Sequence, residues 1–387
     1  MFLFLATYIL IGLALNLYIL RWLRPALGWR SSTSRWCAVP ALLLTLLPIA
    51  SRLCDRWGHY NLALVTGLPG YAWMAVILWG VCFGLLAELI SAGLRLASLA
   101  LPSARRFLLS PRQVVCAVLA IGGVLSVWGA IEVRTLETET IRIQTPRWPP
   151  GTKPVRIVHV SDIHFGPFVG RATLDRLTAA IGRANPDLLL CSGDVFDSTA
   201  PEMEDCARAL ARIRVPMGKF ACLGNHEFYL GVANSMRLLD LAGFKVLRQD
   251  CAFTERGGTV IEIAGVDDPA GMYTGDLSLA DENVLPHGGT GAFSILLKHQ
   301  PRIRDDAASP PDLQLSGHTH GGQILPAQVF ARLGYPRWRG LYELEAGRRL
   351  YVSRGVGTWG PPIRVLARPQ IALFIIEPEG APRGAYE

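Results

Sequence analysis

Four apolar stretches fall within the first 131 residues: about Phe2–Leu20, Trp36–Ala50, Tyr71–Leu94 and Gln113–Ile131. Lipid offers exposed backbone N–H and C=O groups no partner, so a segment of roughly 20 apolar residues crosses a bilayer as a helix. This part of the chain is therefore confined to helices and reads as an all-α anchor, residues 1–131, of about four transmembrane helices. The second stretch is the weakest, being short and holding Pro40 and Pro48. The first has no basic flank before it and is followed by further apolar segments, which sets it apart from a cleaved signal peptide. Glu88, inside the third stretch, reads as a helix-end residue near the interface with Arg95 close by, rather than as a polar relay. A transporter reading has little to stand on, because the spans lack a polar cluster and Glu88 is isolated.

The charge is as uneven as the hydropathy. Up to Pro150 there are 13 arginines and 5 acids, net +8; from Gly151 onward 25 Lys/Arg face 26 acids, net −1. The basic excess belongs to the anchor, and the remainder has no surplus with which to read nucleic acid. Arg21, Arg24, Arg30 and Arg35 separate the first two stretches, and Arg95, Arg105, Arg106 and Arg112 the last two. Arg-rich loops stay cytoplasmic. The N-terminus and everything after the fourth stretch are then expected on the other side, periplasmic or cell-surface. None of the eight cysteines has zinc-finger spacing; Cys206 and Cys251 could form a disulfide in such a compartment.

Residues 132–153 read as a connector and 154–387 as a second domain. Short buried-strand patterns at Val155–Val160, Asp187–Cys191 and Lys219–Leu223 alternate with helical patterns at Thr173–Ala184, Met203–Ile213 and Ser235–Ala242. Strand-like runs near Val246, Val260–Ala264 and Ser294–Leu297 follow, so the expected core is a mixed α/β sheet. Each run that matters ends in polar residues: Asp162-Ile163-His164, Gly193-Asp194, Gly224-Asn225-His226-Glu227, His299, and Gly317-His318-Thr319-His320. Ligands of α/β sheets collect at the carboxyl ends of strands, so five such ends are expected to converge. Asp, Asn and His without thiolates suit Mn, Mg, Zn or Fe. Seven candidates (Asp162, His164, Asp194, Asn225, His299, His318 and His320) are too many for one ion and enough for two divalent ions. A carboxylate bridges two cations best, and Asp194 is the natural choice.

The ordered series Asp-x-His, Gly-Asp-x-x-Asp, Gly-Asn-His-Glu, His and Gly-His-x-His resembles the calcineurin-like metallophosphoesterase family, over roughly Val155–Ile376. The later Gly355-Val356-Gly357 and Ile363-Arg364 resemble its membrane-attached branch. The resemblance implies a four-layer αββα sandwich and a metal-dependent phosphoric ester hydrolase. It implies that Asp162, His164 and His320 hold one metal, that Asn225, His299 and His318 hold the other, and that Asp194 bridges. It implies that His226 protonates the leaving oxygen or stabilises the transition state, that a metal-bridging hydroxide attacks, and that Asn225 also touches the phosphate. Asp197 would orient a ligand or His226. Phosphodiesters or pyrophosphates are the favoured substrates, and the anchor suggests a lipid-linked or envelope phosphate. A UDP-acyl-sugar pyrophosphohydrolase of lipopolysaccharide assembly is an alternative that the expected topology opposes. A non-catalytic metal-bound scaffold is another, opposed by the complete residue set. His159 reads as a packing residue, and Asp267-Asp268 as a turn weighed against support of the ligands from behind. Arg354 and Arg364 are weighed as phosphate neutralisers against solvated arginines, and Tyr229 and Trp359 as groove residues against surface ones. Oligomeric state and any partner in the membrane leave no mark on the residues.

Overall fold

The computed structural model describes residues 2–275, 291–304 and 310–380. The chain divides into two compact units, Met1–Ala130 and Ile131–Glu387.

The first unit consists of α1 (Phe2–Leu27), α2 (Ser31–Arg56), α3 (Tyr60–Ala100) and α4 (Pro111–Glu132), each long and apolar enough to cross a membrane. The weakest expected span is an unbroken helix of 26 residues despite its two prolines. Gly70 of α3 lets the two backbones approach there: a Cβ at Gly70 would collide with Leu47 and Pro48. Small residues play this part where no hydrophobic effect drives helices together. The expectation that the spans lack a polar cluster is corrected. Asn16 donates to Thr45 Oγ1 (2.7 Å), Trp73 donates to Asn16 Oδ1 (3.1 Å), and Tyr8 donates to the Thr45 carbonyl (2.8 Å). These groups come from three helices, so sequence spacing could not bring them together; their mutual hydrogen bonds make them interhelical glue. Glu88 pairs with Arg21 of α1 at 3.4 Å rather than with Arg95.

The second unit is built on two six-stranded mixed sheets. The strands are β1 (Glu137–Thr145), β2 (Val155–Val160), β3 (Leu188–Cys191), β4 (Lys219–Ala221), β5 (Lys245–Val246), β6 (Asp250–Arg256), β7 (Thr259–Val266), β8 (Phe293–Lys298), β9 (Leu313–Ser316), β10 (Gly340–Glu343), β11 (Arg349–Val352) and β12 (Gln370–Pro378). One sheet runs β1-β12-β2-β3-β4-β5 and the other β10-β11-β9-β8-β7-β6. Alternate residues of each sheet face the other. Ile157, Leu190, Phe220 and Phe374 of the first meet Ile261, Ile295, Leu315 and Tyr351 of the second in one buried core. The stretch read as a connector contains β1, whose Ile141 and Ile143 enter that core and whose backbone pairs in parallel with β12.

Helices α5 (Arg171–Ala184), α6 (Glu202–Ala211) and α8 (Val232–Leu241) pack along the first sheet; α7 (Asn225–Leu230) follows β4 and packs on α8, and α9 (Ala270–Thr274) follows β7 of the second sheet and packs on α7. Helix α10 (Leu325–Gly334) follows β9. The α/β sandwich expected of this chain is thus present, preceded in sequence by the four apolar helices. No disulfide joins Cys206 and Cys251; all eight cysteines are free. Cys206 is buried in α6, whereas Cys251 packs on Ala264, Val266 and Leu296 of the second sheet, so the two lie on different layers.

β2, β3 and β4 run parallel in one sheet, and β8 and β9 run parallel in the other. Their carboxyl ends are therefore shared, and every expected ligand lies just beyond one of them.

Candidate metal centre

The strand ends turn sharply. Asp162, His164, Asp194, His318 and His320 all have left-handed backbone (φ 52–72°), a region that non-glycine residues rarely occupy. Backbone bonds hold them there: Asp162 N–H donates to Gly193 O, and His164 N–H to Asp194 O. Two glycines make room. A Cβ at Gly224 would strike the Asp194 carboxylate, and one at Gly317 would strike Ser161 and Asp162.

Two nests of ligand atoms result. In the first, His164 Nε2 and His320 Nε2 are 3.0 Å apart, and Asp162 Oδ1 is 3.5 Å from His320 Nε2. In the second, Asn225 Oδ1 lies 3.1 Å from His299 Nε2 and 3.0 Å from His318 Nδ1. Asp194 Oδ2 reaches both, at 3.2 Å from His299 Nε2 and 3.7 Å from His164 Nε2. Backbone N–H groups of His318 and His226 hold Asp162 Oδ1 and Asp194 Oδ1, each at 2.9 Å. Asp162, His164, Asp194 and His299 are almost wholly buried and form the floor. Asn225, His226 and His318 are partly exposed and form the mouth.

These residues fit a cation. His299 Nδ1 is 2.7 Å from the Ser192 carbonyl, which can only accept. Nδ1 therefore carries a proton, and Nε2 is the ring atom turned to Asn225 Oδ1 and Asp194 Oδ2, where it would ligate an ion. Lone pairs so gathered, with nitrogen and oxygen donors and no thiolate, call for a divalent ion of the harder or borderline kind. The charges of these groups are interlocked: burial opposes a charged His299, yet Asp194 beside it raises that ring well above the usual imidazole range. Burial opposes charge on Asp194, yet His299, His226 and His164 hold its carboxyl well below the usual range. Burial, reinforced by His299, lowers His318 to about 4. Burial, with His164 and Arg364 beside it, lowers His320 as well.

A calcineurin-like phosphoesterase family pattern matches residues 155–322. A metallophosphoesterase of Aquifex aeolicus (strain VF5) is 38% identical over 262 residues, covering 67% of this chain and 99% of that one. This chain belongs to the calcineurin-like metallophosphoesterase family. It is a phosphoric ester hydrolase by class. A transmembrane protein with metallophosphoesterase domain from Danio rerio is 33% identical over 277 residues, covering 69% of this chain but only 63% of its own length. Among solved structures, a 5'-nucleotidase precursor from Thermus thermophilus aligns with a TM-score of 0.34 at 17% identity, over 57% of this chain and 54% of that one.

Other residues complete this metallophosphoesterase site. His226 Nδ1 is 2.5 Å from Asp197 Oδ1, and the same oxygen is 3.2 Å from His164 Nδ1. Tyr229 packs edge-on to His226 (5.4 Å) and Tyr335 to His318 (5.3 Å), so both rings stand at the mouth. Tyr335 has no motif to announce it. Glu227 does: an acid three residues after a helix N-cap can reach back to the cap. Its buried carboxylate accepts from the N–H groups of Asp194, Val195 and Gly224, each at 2.8 Å. Asp268 caps Ala270 and holds Gln300 beside His299, while Asp267 pairs with Arg248.

Neither arginine reading survives for Arg364. It is fully buried, and its guanidinium donates to the carbonyls of Gly357, Arg354 and Ala367. Arg354 is tied to Glu137 and Gln370. Both brace the Gly355–Gly357 loop. His159 is a packing residue: it is buried, its Nε2 meets Ser192 Oγ at 2.8 Å, and burial pushes its pKa down to about 3, so it stays neutral. Trp359 is exposed, with its backbone held by the Gln323 side chain.

Proposed function

We propose that this chain is a membrane-anchored two-metal phosphoesterase that cleaves a phosphodiester or pyrophosphate bond at an extracytoplasmic site. The observation that carries this reading is the pair of adjoining nests with Asp194 between them. One nest (Asp162, His164, His320) and the other (Asn225, His299, His318) each offer three donors, and Asp194 offers a fourth to both. Two divalent ions held there supply the attacking hydroxide near neutral pH and neutralise charge on the phosphate.

The chain's own groups do the rest. Asp197 accepts a hydrogen bond from His226 Nδ1–H and fixes the ring, which leaves Nε2 as the atom for the leaving oxygen. The Asn225 amide uses Oδ1 in its nest, and its NH₂, which also hydrogen-bonds the Tyr229 hydroxyl, is the group to donate to a phosphate oxygen. Tyr229 and Tyr335 flank the mouth and limit the approach. A lipid-linked or envelope phosphate suits an enzyme that carries its own membrane helices.

The test uses the full chain in detergent with Mn, a diaryl phosphate and an aryl phosphomonoester. The diester is expected to turn over faster. Asp194→Asn should lose bound metal and turnover together. His226→Ala should keep its metal yet lose about 10²–10⁴-fold in rate, the usual worth of a positioned proton donor. Near-normal turnover in the His226 variant, or full metal binding by the Asp194 variant, would sink the assigned roles.

A further inference from the structure

Helix α10 is inside out for a surface helix. Ala327, Gln328 and Ala331 are on its less exposed side, while Leu325, Val329, Phe330 and Leu333 face solvent. Phe330 is 70% exposed and Leu333 76%. These four fall at i, i+4, i+5 and i+8, one continuous stripe on a helix. Apolar area gathered in this way marks a covered surface, whereas single exposed apolar residues need no explanation.

The stripe is also held rigidly beside the metal centre. The turn His320–Gly322 leads directly into α10, and the Gln328 side chain donates to the carbonyls of Val365 and Leu366. After the helix come exposed Arg337 and Arg339, with the Arg339 guanidinium 4.4 Å from the Trp338 ring centre. Thr319, between the two site histidines, donates to the Trp338 carbonyl at 2.6 Å. Arg332 is exposed at the edge of the stripe.

We infer that α10 and the Trp338 turn are a bilayer-docking surface: the apolar stripe enters the acyl region while Arg332, Arg337 and Arg339 meet anionic lipid phosphates. An in-plane helix of this kind pairs an apolar face with basic residues and an interfacial tryptophan. A protein partner would also cover an apolar stripe. The arginine rim and the four membrane-length helices of this same chain single out the bilayer, a surface always at hand. Because His318 and His320 sit at the base of this surface, docking brings the metal centre to the headgroup layer. The substrate class that follows is an amphiphilic phosphoester whose tail stays in the membrane. This last step rests on the proposed function; the docking does not.

The experiment uses the full chain in nanodiscs of phosphatidylglycerol and phosphatidylethanolamine. A photoreactive benzoylphenylalanine replaces Phe330, Leu333 or, as a control on α5, the exposed Arg183. Irradiation is expected to give lipid adducts at 330 and 333 and none at 183. Adducts only to protein, or lipid adducts no more frequent than at 183, overturn the inference. In parallel, the double variant Phe330→Asp, Leu333→Asp is assayed on a disc-embedded fluorogenic phospholipid and on a soluble diaryl phosphate. Turnover of the embedded ester should fall about tenfold or more, as expected for lost membrane contact, while the soluble ester is unaffected and attests to a folded site. Equal loss on both substrates overturns the role of α10 in presenting lipid. A wild type that cleaves neither ester defeats the phosphoesterase reading, and the adducts still decide the docking.

Discussion

Glu227 shows how much of this site is held from behind. Its carboxylate takes no place among the candidate ligands, yet it gathers three N–H groups from two different strand ends. Two of them belong to Asp194 and Gly224, so Glu227 sets the distance between the shared carboxylate and the Asn225-His226 turn. Glutamine is nearly isosteric but has a single acceptor oxygen and would point its NH₂ at a backbone N–H. Glu227→Gln should therefore cost about 2–4 kcal/mol of stability through unsatisfied buried donors. It should also lower metal content, read by thermal unfolding and elemental analysis of the same sample. A Gln variant with wild-type melting and full metal would show that the carboxylate is dispensable. Five candidate ligands in left-handed backbone make the same point, since each such residue carries about 1–2 kcal/mol of strain that its surroundings must offset. The types and order of the candidate ligands were readable from the chain, because that chemistry resides in side-chain identity. The strained turns were not, because Asp and His give no local sign of φ near +55°. Arg364 was misread for a related reason: an arginine in sequence looks solvated until carbonyls from separate loops close around it.

At the scale of elements, β4 illustrates how the helical layer is tied to the sheet. Lys219 is buried, and its ammonium donates to the carbonyls of Leu210 (2.7 Å), Ala211 (3.2 Å) and Ala242 (3.3 Å). These carbonyls close α6 and α8, where helix dipoles favour a cation. One strand residue thus fastens two helices. Lys219→Met keeps the length and loses the donors, so it should destabilise the unit by about 2–4 kcal/mol, a melting point lower by roughly 5–15 °C. Activity at low temperature should survive, because Lys219 is remote from the ligand nests; a large loss of rate without a change in melting would refute this. The parallel strands and their helices were legible because apolar runs alternate locally with amphipathic ones. β1 was not: it pairs with β12, more than 200 residues away, and nothing in Glu137–Thr145 announces so distant a partner. α10 was hidden differently, since an outward apolar stripe has the same pattern in sequence as an inward one.

For the whole molecule, the open question is which side of the membrane the phosphoesterase unit occupies. The arginine pattern supports the extracytoplasmic placement proposed above. Arg21, Arg24 and Arg30 lie at the end of α1 or just beyond it, Arg105 and Arg106 lie between α3 and α4, and Arg112 opens α4. The turn between α2 and α3 has only Arg52 and Arg56 close by, with Asp55 between them. Retaining the first two groups in the cytoplasm would require an even number of crossings and would put Ile131 onward outside. Reporter fusions check this in the intact chain. Alkaline phosphatase fused after Gly380 should be active and a fluorescent protein there dark, while fusions between α1 and α2 should give the reverse. Neutralising Arg105, Arg106 and Arg112 together should weaken the bias and yield a mixed population, because short-loop arginines dominate the choice. A fluorescent C-terminal fusion would reverse the assignment, and with it the expectation of an envelope substrate. It would leave the metal centre and the α10 docking surface standing, since a bilayer presents headgroups on both faces.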